Sequence, residues 1–148
     1  MSQKPIIGYV DLRVFAHVTE NPEKVLIALT NLLPTNLVET AQIEKNSLTG
    51  HHGNSITSFT TQLTDKNFLH LILEKIGQNL NALDKEELNT NLKLHIEKTN
   101  LYMRFDKQAA FLGKTKFAQN DPIHMKIHFK NKTPQEILEF LKKFEMLP

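Results

Sequence analysis

Five side chains suited to holding anions or reading nucleic-acid edges crowd into one stretch, Leu101–Lys116, LYMRFDKQAAFLGKTK. They are Arg104, Lys107, Gln108, Lys114 and Lys116. A guanidinium grips phosphate through two prongs, an ammonium acts as a point charge, and an amide reaches sugars or base edges. Ala109 and Ala110 are small enough to let a ligand backbone approach, and Gly113 punctuates the segment. The same residues also allow a plainer reading, a strand that runs into an ordinary turn carrying solvated lysines. Two more polar candidates, His52 and Asn54, sit in the glycine-rich turn Leu48–Asn54, and Arg13 lies in the first apolar stretch.

Charge along the chain points to the same region. The whole protein of 148 residues carries only +2, yet residues 98–132 hold eight Lys and Arg against Asp106 and Asp121, a net +6. Residues 1–97 are net −3 and the tail −1. A local cationic face on a near-neutral body suits an anionic partner, although lysines that merely solubilise exposed strands give the same count.

Other chemistries find little support. No cysteine occurs, which removes disulfides, thiolate catalysis and cysteine-ligated zinc. His124 and His128 have a zinc-like helical spacing, but on a strand they stand about 13 Å apart, too far to share one ion. His51–His52 has no acidic or cysteine partner nearby in sequence. Neither a GxSxG elbow nor a phosphate-binding GxxxxGK[ST] loop is present. Glu86–Glu87 reads as solvated surface. The expectation is a protein without catalytic residues, metal or cofactor. Met1 precedes polar Ser2, Gln3 and Lys4, and no apolar run is long enough to span a bilayer, so a cytoplasmic protein without membrane contact is expected.

The elements that must position these groups follow from periodicity. Strict alternation from Ile6 to Val18 makes a long strand, with Ile6, Gly8, Val10, Leu12, Val14, Ala16 and Val18 on one face. Asn21–Pro22 opens a helix with Val25, Ala28, Leu29, Leu32 and Leu33 as its core stripe, ended by Pro34. Leu37–Asn46 and Ser55–Leu63 read as strands. Asp65 caps a second helix bearing Leu69, Ile72, Leu73, Ile76 and Leu80, and a short polar helix follows from Asp84. Leu92–Lys98, the stretch from Leu101, and the segment after Asp121–Pro122 supply three more strands. Thr133–Glu136 is a capping box for a final helix.

Runs of strands with helices set apart predict a single α+β domain over residues 1–148. Its sheet has five to six strands, mixed or antiparallel, with helices on one face and the other partly open. The outward strand residues then share that open face: Tyr9, Arg13, Phe15, His17, Lys93, His95, Tyr102, Arg104, His124, Lys126 and His128. Aromatics interleaved with cations can stack bases and hold phosphates. Asp11 and Glu97 lie there too, so the face is not uniformly positive.

Four short motifs in order add a resemblance. They are His17–Glu20 with Pro22–Val25, then His52–Asn54, then Arg104–Ala109 with Gly113, and Asp121–Ile123. Together, from Ile6 to Phe129, they resemble an archaeal family of RNA-binding proteins described as exosome-associated, similar in fold to the large-subunit ribosomal protein that binds 5S rRNA. The resemblance implies an α+β fold, an RNA role and no catalytic residues. Its signature positions correspond here to His17, Thr19, Glu20, His52, Gly53, Asn54, Arg104, Asp106, Lys107, Gln108 and Gly113, while Val18 departs from the small residue expected before Thr–Glu.

Two functions from different classes emerge. One is a non-catalytic RNA-binding protein, accessory to RNA processing or decay, with RNA and exosome subunits as partners. Its contacts would come from Arg104, Lys107, Gln108, His52, Asn54, Lys114, Lys116 and Arg13. The other is a protein-interaction or homodimerisation module that uses the open sheet face. Within the first, Arg104 and Lys107 are expected to form one patch with His52 and Asn54, and the sheet face around Arg13 is the second candidate.

Overall fold

A computed structural model of the chain describes residues 7–49 and 55–148. Its elements run β1 Ile7–Ala16, α1 Pro22–Asn31, α2 Thr35–Thr40, β2 Glu44–Thr49, β3 Ser55–Leu63, α3 His70–Asn79, α4 Ala82–Thr90 and α5 Leu92–His95. They continue with β4 Ile96–Glu97, β5 Asn100–Phe105, α6 Lys107–Phe111, β6 Ile123–Phe129 and α7 Pro134–Lys143. The six strands make one antiparallel sheet in the order β2-β3-β1-β6-β5-β4.

One face of that sheet is apolar because the period-two pattern of its central strands is strict. Val10, Leu12, Val14, Leu101, Met103, Phe105, Ile123, Met125, Ile127 and Phe129 are all buried. The stripes of α1 (Val25, Ala28, Leu29), α3 (Ile72, Leu73, Ile76) and α7 (Ile137, Leu141) join them in one continuous core. Burying a Leu, Ile or Phe side chain contributes about 1.5–3 kcal/mol, which holds these three helices to this face. The opposite face keeps its polar side chains in water.

Local caps fix where the helices start. Asn21 Oδ1 accepts from Glu23 N at 2.9 Å, and Thr133 and Glu136 exchange both bonds of the expected capping box. The Lys75 ammonium of α3 donates to the carbonyls of Asn31 and Leu33 at 2.6 and 2.8 Å, which closes the C-terminal end of α1. Gly77 lets α3 meet the end of α7. A Cβ there would lie 1.9 Å from the Phe144 carbonyl oxygen.

Several sequence expectations need correction. The strand expected at Leu37–Asn46 is instead the helix α2 followed by the later, shorter β2. Leu37 is 1% exposed, and its burial as a helical residue overrides the strand preference of Val38 and Thr40. Leu92–Lys98 is likewise not a strand. Its first four residues form α5, only Ile96–Glu97 pair with β5, and Leu94, expected inside, is 80% exposed. The cause is His95, whose Nδ1 bonds the Tyr102 carbonyl at 2.9 Å while Nε2 meets the Glu87 carboxylate at 3.0 Å. These contacts tie a helical turn to α4 and β5.

The break at Asp106–Gln108 starts a helix rather than a turn. Asp106 caps α6 by accepting from Ala109 N at 2.8 Å. Asp65 accepts from Asn67 N within a turn, and α3 itself begins at His70. In β1 the register shifts between Ile7 and Tyr9, so Ile7, placed outward by simple alternation, is buried. Gly8 is the extra residue of this bulge.

Candidate nucleic-acid interface

The registers of β1, β6 and β5 arrange the open face as a grid. In one row Arg13 and Arg104 stand directly on either side of His124. In the next, Asp11 and Tyr102 flank Lys126. In the third, Tyr9 and Asn100 flank His128. Towards β2 the first row continues through Thr60 to Glu44, and the second through Gln62. The first two rows line a broad concavity of about 1030 Å³, with Glu97 and Leu94 at its β4 side and Gln42 and Glu44 at the other.

The cationic row is open to a ligand. Arg13 and Arg104 are exposed, and among the described residues neither has a carboxylate at ion-pairing distance. Arg13 lies over the Phe15 ring at 5.5 Å. His124 is half-buried between them. Burial first, then the charges of Arg13 and Arg104, push its imidazole below the ordinary histidine range, against an upward pull from Asp121. Lys126 sits 5.5 Å over the Tyr9 ring, and its ammonium is raised above the usual value chiefly by its hydrogen bond with Tyr9. Tyr9 also stacks on His128 at 4.7 Å, and His128 Nδ1 bonds Asn100 at 2.9 Å, so this end of the face is a braced aromatic platform. Tyr102 is 37% exposed.

The patch expected around Lys107 resolves differently. The Lys107 ammonium donates to the Phe15 carbonyl at 2.7 Å and lies 2.9 Å from Glu20 and 2.7 Å from Asp121. Its side chain is only 12% exposed. The patch expected of Arg104 with Lys107 is therefore not formed as a pair of free cations, because two carboxylates and a carbonyl satisfy the lysine. His17 joins through its Nε2, 3.0 Å from Asp121. His17, Glu20 and Asp121 lie close enough to hold a metal ion, but the cation among these carboxylates is the Lys107 ammonium. Glu20 and Asp121 were the partners that sequence reasoning missed. Gln108, Lys114 and Lys116 are exposed on α6 and the loop after it, away from the cationic row. His52 and Asn54 lie outside the described residues. Of the other residues expected on the open face, His17 turns to Asp121, and His95 is locked by Glu87 and Tyr102.

Comparison with known proteins bears on this geometry. The chain is 32% identical over 124 residues to the RNA-binding protein PAB1135 of Pyrococcus abyssi, covering 82% of this chain and 80% of that one. It is 30% identical over 145 residues to the protein MJ0213 of Methanocaldococcus jannaschii, covering 93% and 94%. Among solved structures, AF2318 from Archaeglobus fulgidus superposes with a TM-score of 0.75 at 25% identity, over 93% of this chain and 99% of that one. A DUF54 protein from Methanothermobacter thermautotrophicus gives 0.74 at 27%, over 94% and 98%. No helix among the described residues is long and apolar enough to cross a membrane. The model of the RNA-binding family matches residues 9–129, which include every row of the grid, and the chain belongs to that family.

Proposed function

We propose that this protein binds RNA, without catalysing its turnover, on the open face of its antiparallel sheet. The observation that carries the reading is the Arg13–His124–Arg104 row, two exposed guanidinium groups without carboxylate partners among the described residues. Aromatic side chains follow it on the same face, Tyr102 in the adjoining row and Tyr9 one row further, which suits single-stranded segments whose bases can stack. Membership of the RNA-binding family and the description of the Pyrococcus abyssi relative support the same class of ligand. Gln108, Lys114 and Lys116, exposed on α6 and the loop after it, serve as secondary phosphate contacts away from the row. His52 and Asn54 remain assigned to the same role on their residue types. Lys107 contributes by fixing α6, the element that follows Arg104 in the chain.

The proposal extends to a cytoplasmic role accessory to RNA processing or decay, in contact with exosome subunits, on a fold like that of the 5S-rRNA-binding ribosomal protein. Those finer points rest on the motif resemblance. Titration of single-stranded and structured RNA at two salt concentrations tests the core of the reading. Affinity should fall steeply with salt, and Arg13→Ala with Arg104→Ala should reduce the single-strand salt slope by about 1.4, since each phosphate contact contributes roughly 0.7. Both arginines are exposed, so the variant should melt within a degree or two of the parent. Absence of RNA binding at low salt, or a double variant with unchanged affinity and slope, would overturn the proposal.

A further inference from the structure

We infer that the Arg13–His124–Arg104 row seats a terminal phosphomonoester of an RNA strand, with the adjoining base against Tyr102. The inference rests on the open-face reading above and narrows its ligand.

Three observations lead there. The first is the match of charge. An internal phosphodiester carries one negative charge, whereas a phosphomonoester carries about −1.5 to −2 near neutral pH, with a second pKa of about 6. Two guanidinium groups without carboxylate partners among the described residues, bracketing one imidazole, match a dianion rather than a single charge. After burial, the same two arginines disfavour charge on His124 in the free protein. A phosphomonoester placed between them cancels that repulsion and lets the ring donate or take up a proton.

The second observation is the pattern of charge across the face. The cations sit at its centre, while Glu44 lies at the β2 side of the concavity, Glu97 at the β4 side and Asp11 one row along. A strand drawn across the whole sheet would pass carboxylates at both margins. Grooves that track a backbone continuously are instead positive along their length. A strand that ends at the centre meets arginines there and avoids one margin. The third is size and neighbourhood. A concavity of about 1030 Å³ is at the upper end of the roughly 300–1,000 Å³ typical of small-ligand sites, enough for the end of a strand. Tyr102 lies two residues from Arg104 on the same face, about 6.6 Å along the strand, which is within reach of the base attached to a seated phosphate.

The test uses one single-stranded RNA sequence in three forms, with a 5′-phosphate, with a 3′-phosphate, and with hydroxyls at both ends. Fluorescence anisotropy with the intact protein should show one phosphorylated form binding about tenfold or more tightly than the hydroxyl form. The form that gains identifies which end is recognised. Arg13→Ala and Arg104→Ala should each remove the preference. Three equal affinities, all weakened by the double variant, would refute end recognition while leaving the open-face reading intact. Binding by none of the forms would overturn both. A preference that survives both single variants would place the phosphate elsewhere and refute the inference.

Discussion

Replacing Lys107 by Met separates a cation that builds the site from one that touches RNA. The ammonium is 12% exposed and is held by Glu20, Asp121 and the Phe15 carbonyl, three contacts of 2.7–2.9 Å. Breaking a fully buried pair from one side costs about 3–5 kcal/mol, whereas an exposed pair contributes roughly 0–1 kcal/mol. The carboxylates here are 30% and 40% exposed and regain water once the lysine is gone. The Phe15 carbonyl loses its lysine partner outright. The expected loss is therefore intermediate, about 2–3 kcal/mol. For a chain of this size that lowers the melting temperature by roughly 5–10 °C, measured by far-UV circular dichroism. RNA affinity of the variant, taken well below its transition, should stay within about a factor of two, as expected where no direct contact is lost. A variant that melts with the parent yet loses RNA affinity would show that Lys107 faces ligand and would refute this assignment.

Two further predictions concern the frame and the cationic row. Gly77→Ala should destabilise by at least about 1–3 kcal/mol in urea unfolding, because its Cβ would fall 1.9 Å from the Phe144 carbonyl oxygen and backbone must move; an unchanged midpoint would mean that α3 and α7 do not meet so closely. His124 is depressed in the folded state by burial, Arg13 and Arg104, so the unfolded chain binds its proton more readily. Its share of stability is complete above the unfolded value of about 6.5 and is lost as pH falls through the lower folded value. His124→Gln should flatten that part of the melting-temperature profile, and a profile identical to the parent's would contradict the reading.

Much of the fold was legible because burial was periodic. Ile123–Phe129 and Leu101–Phe105 alternate without exception, and Val25, Ala28, Leu29, Leu32 and Leu33 keep one helical stripe. Sequence reasoning failed where a few long-range contacts decide a short segment. Nothing local marks Leu92–His95 as helical, since the decisive bonds run from His95 to Glu87 and Tyr102. The site divided in the same way. Alternation alone placed Arg13, Arg104, His124 and Lys126 on one open face. The fate of Lys107 depended on Glu20 and Asp121, which only the packed fold brings together across 87 residues in one case. A capping signal was available at Asp106, three residues before the small Ala109, and it marked the start of α6.

The most direct test of the central claim is a map of backbone amide chemical shifts during titration with a single-stranded RNA. The open-face account predicts perturbations concentrated in β1, β6 and β5 around Arg13, His124, Lys126, Tyr102 and Arg104, with the amides of α3 and α7 on the covered side little changed. Perturbations centred on the Lys114–Lys116 loop or on the helical layer, with the cationic row unmoved, would contradict it.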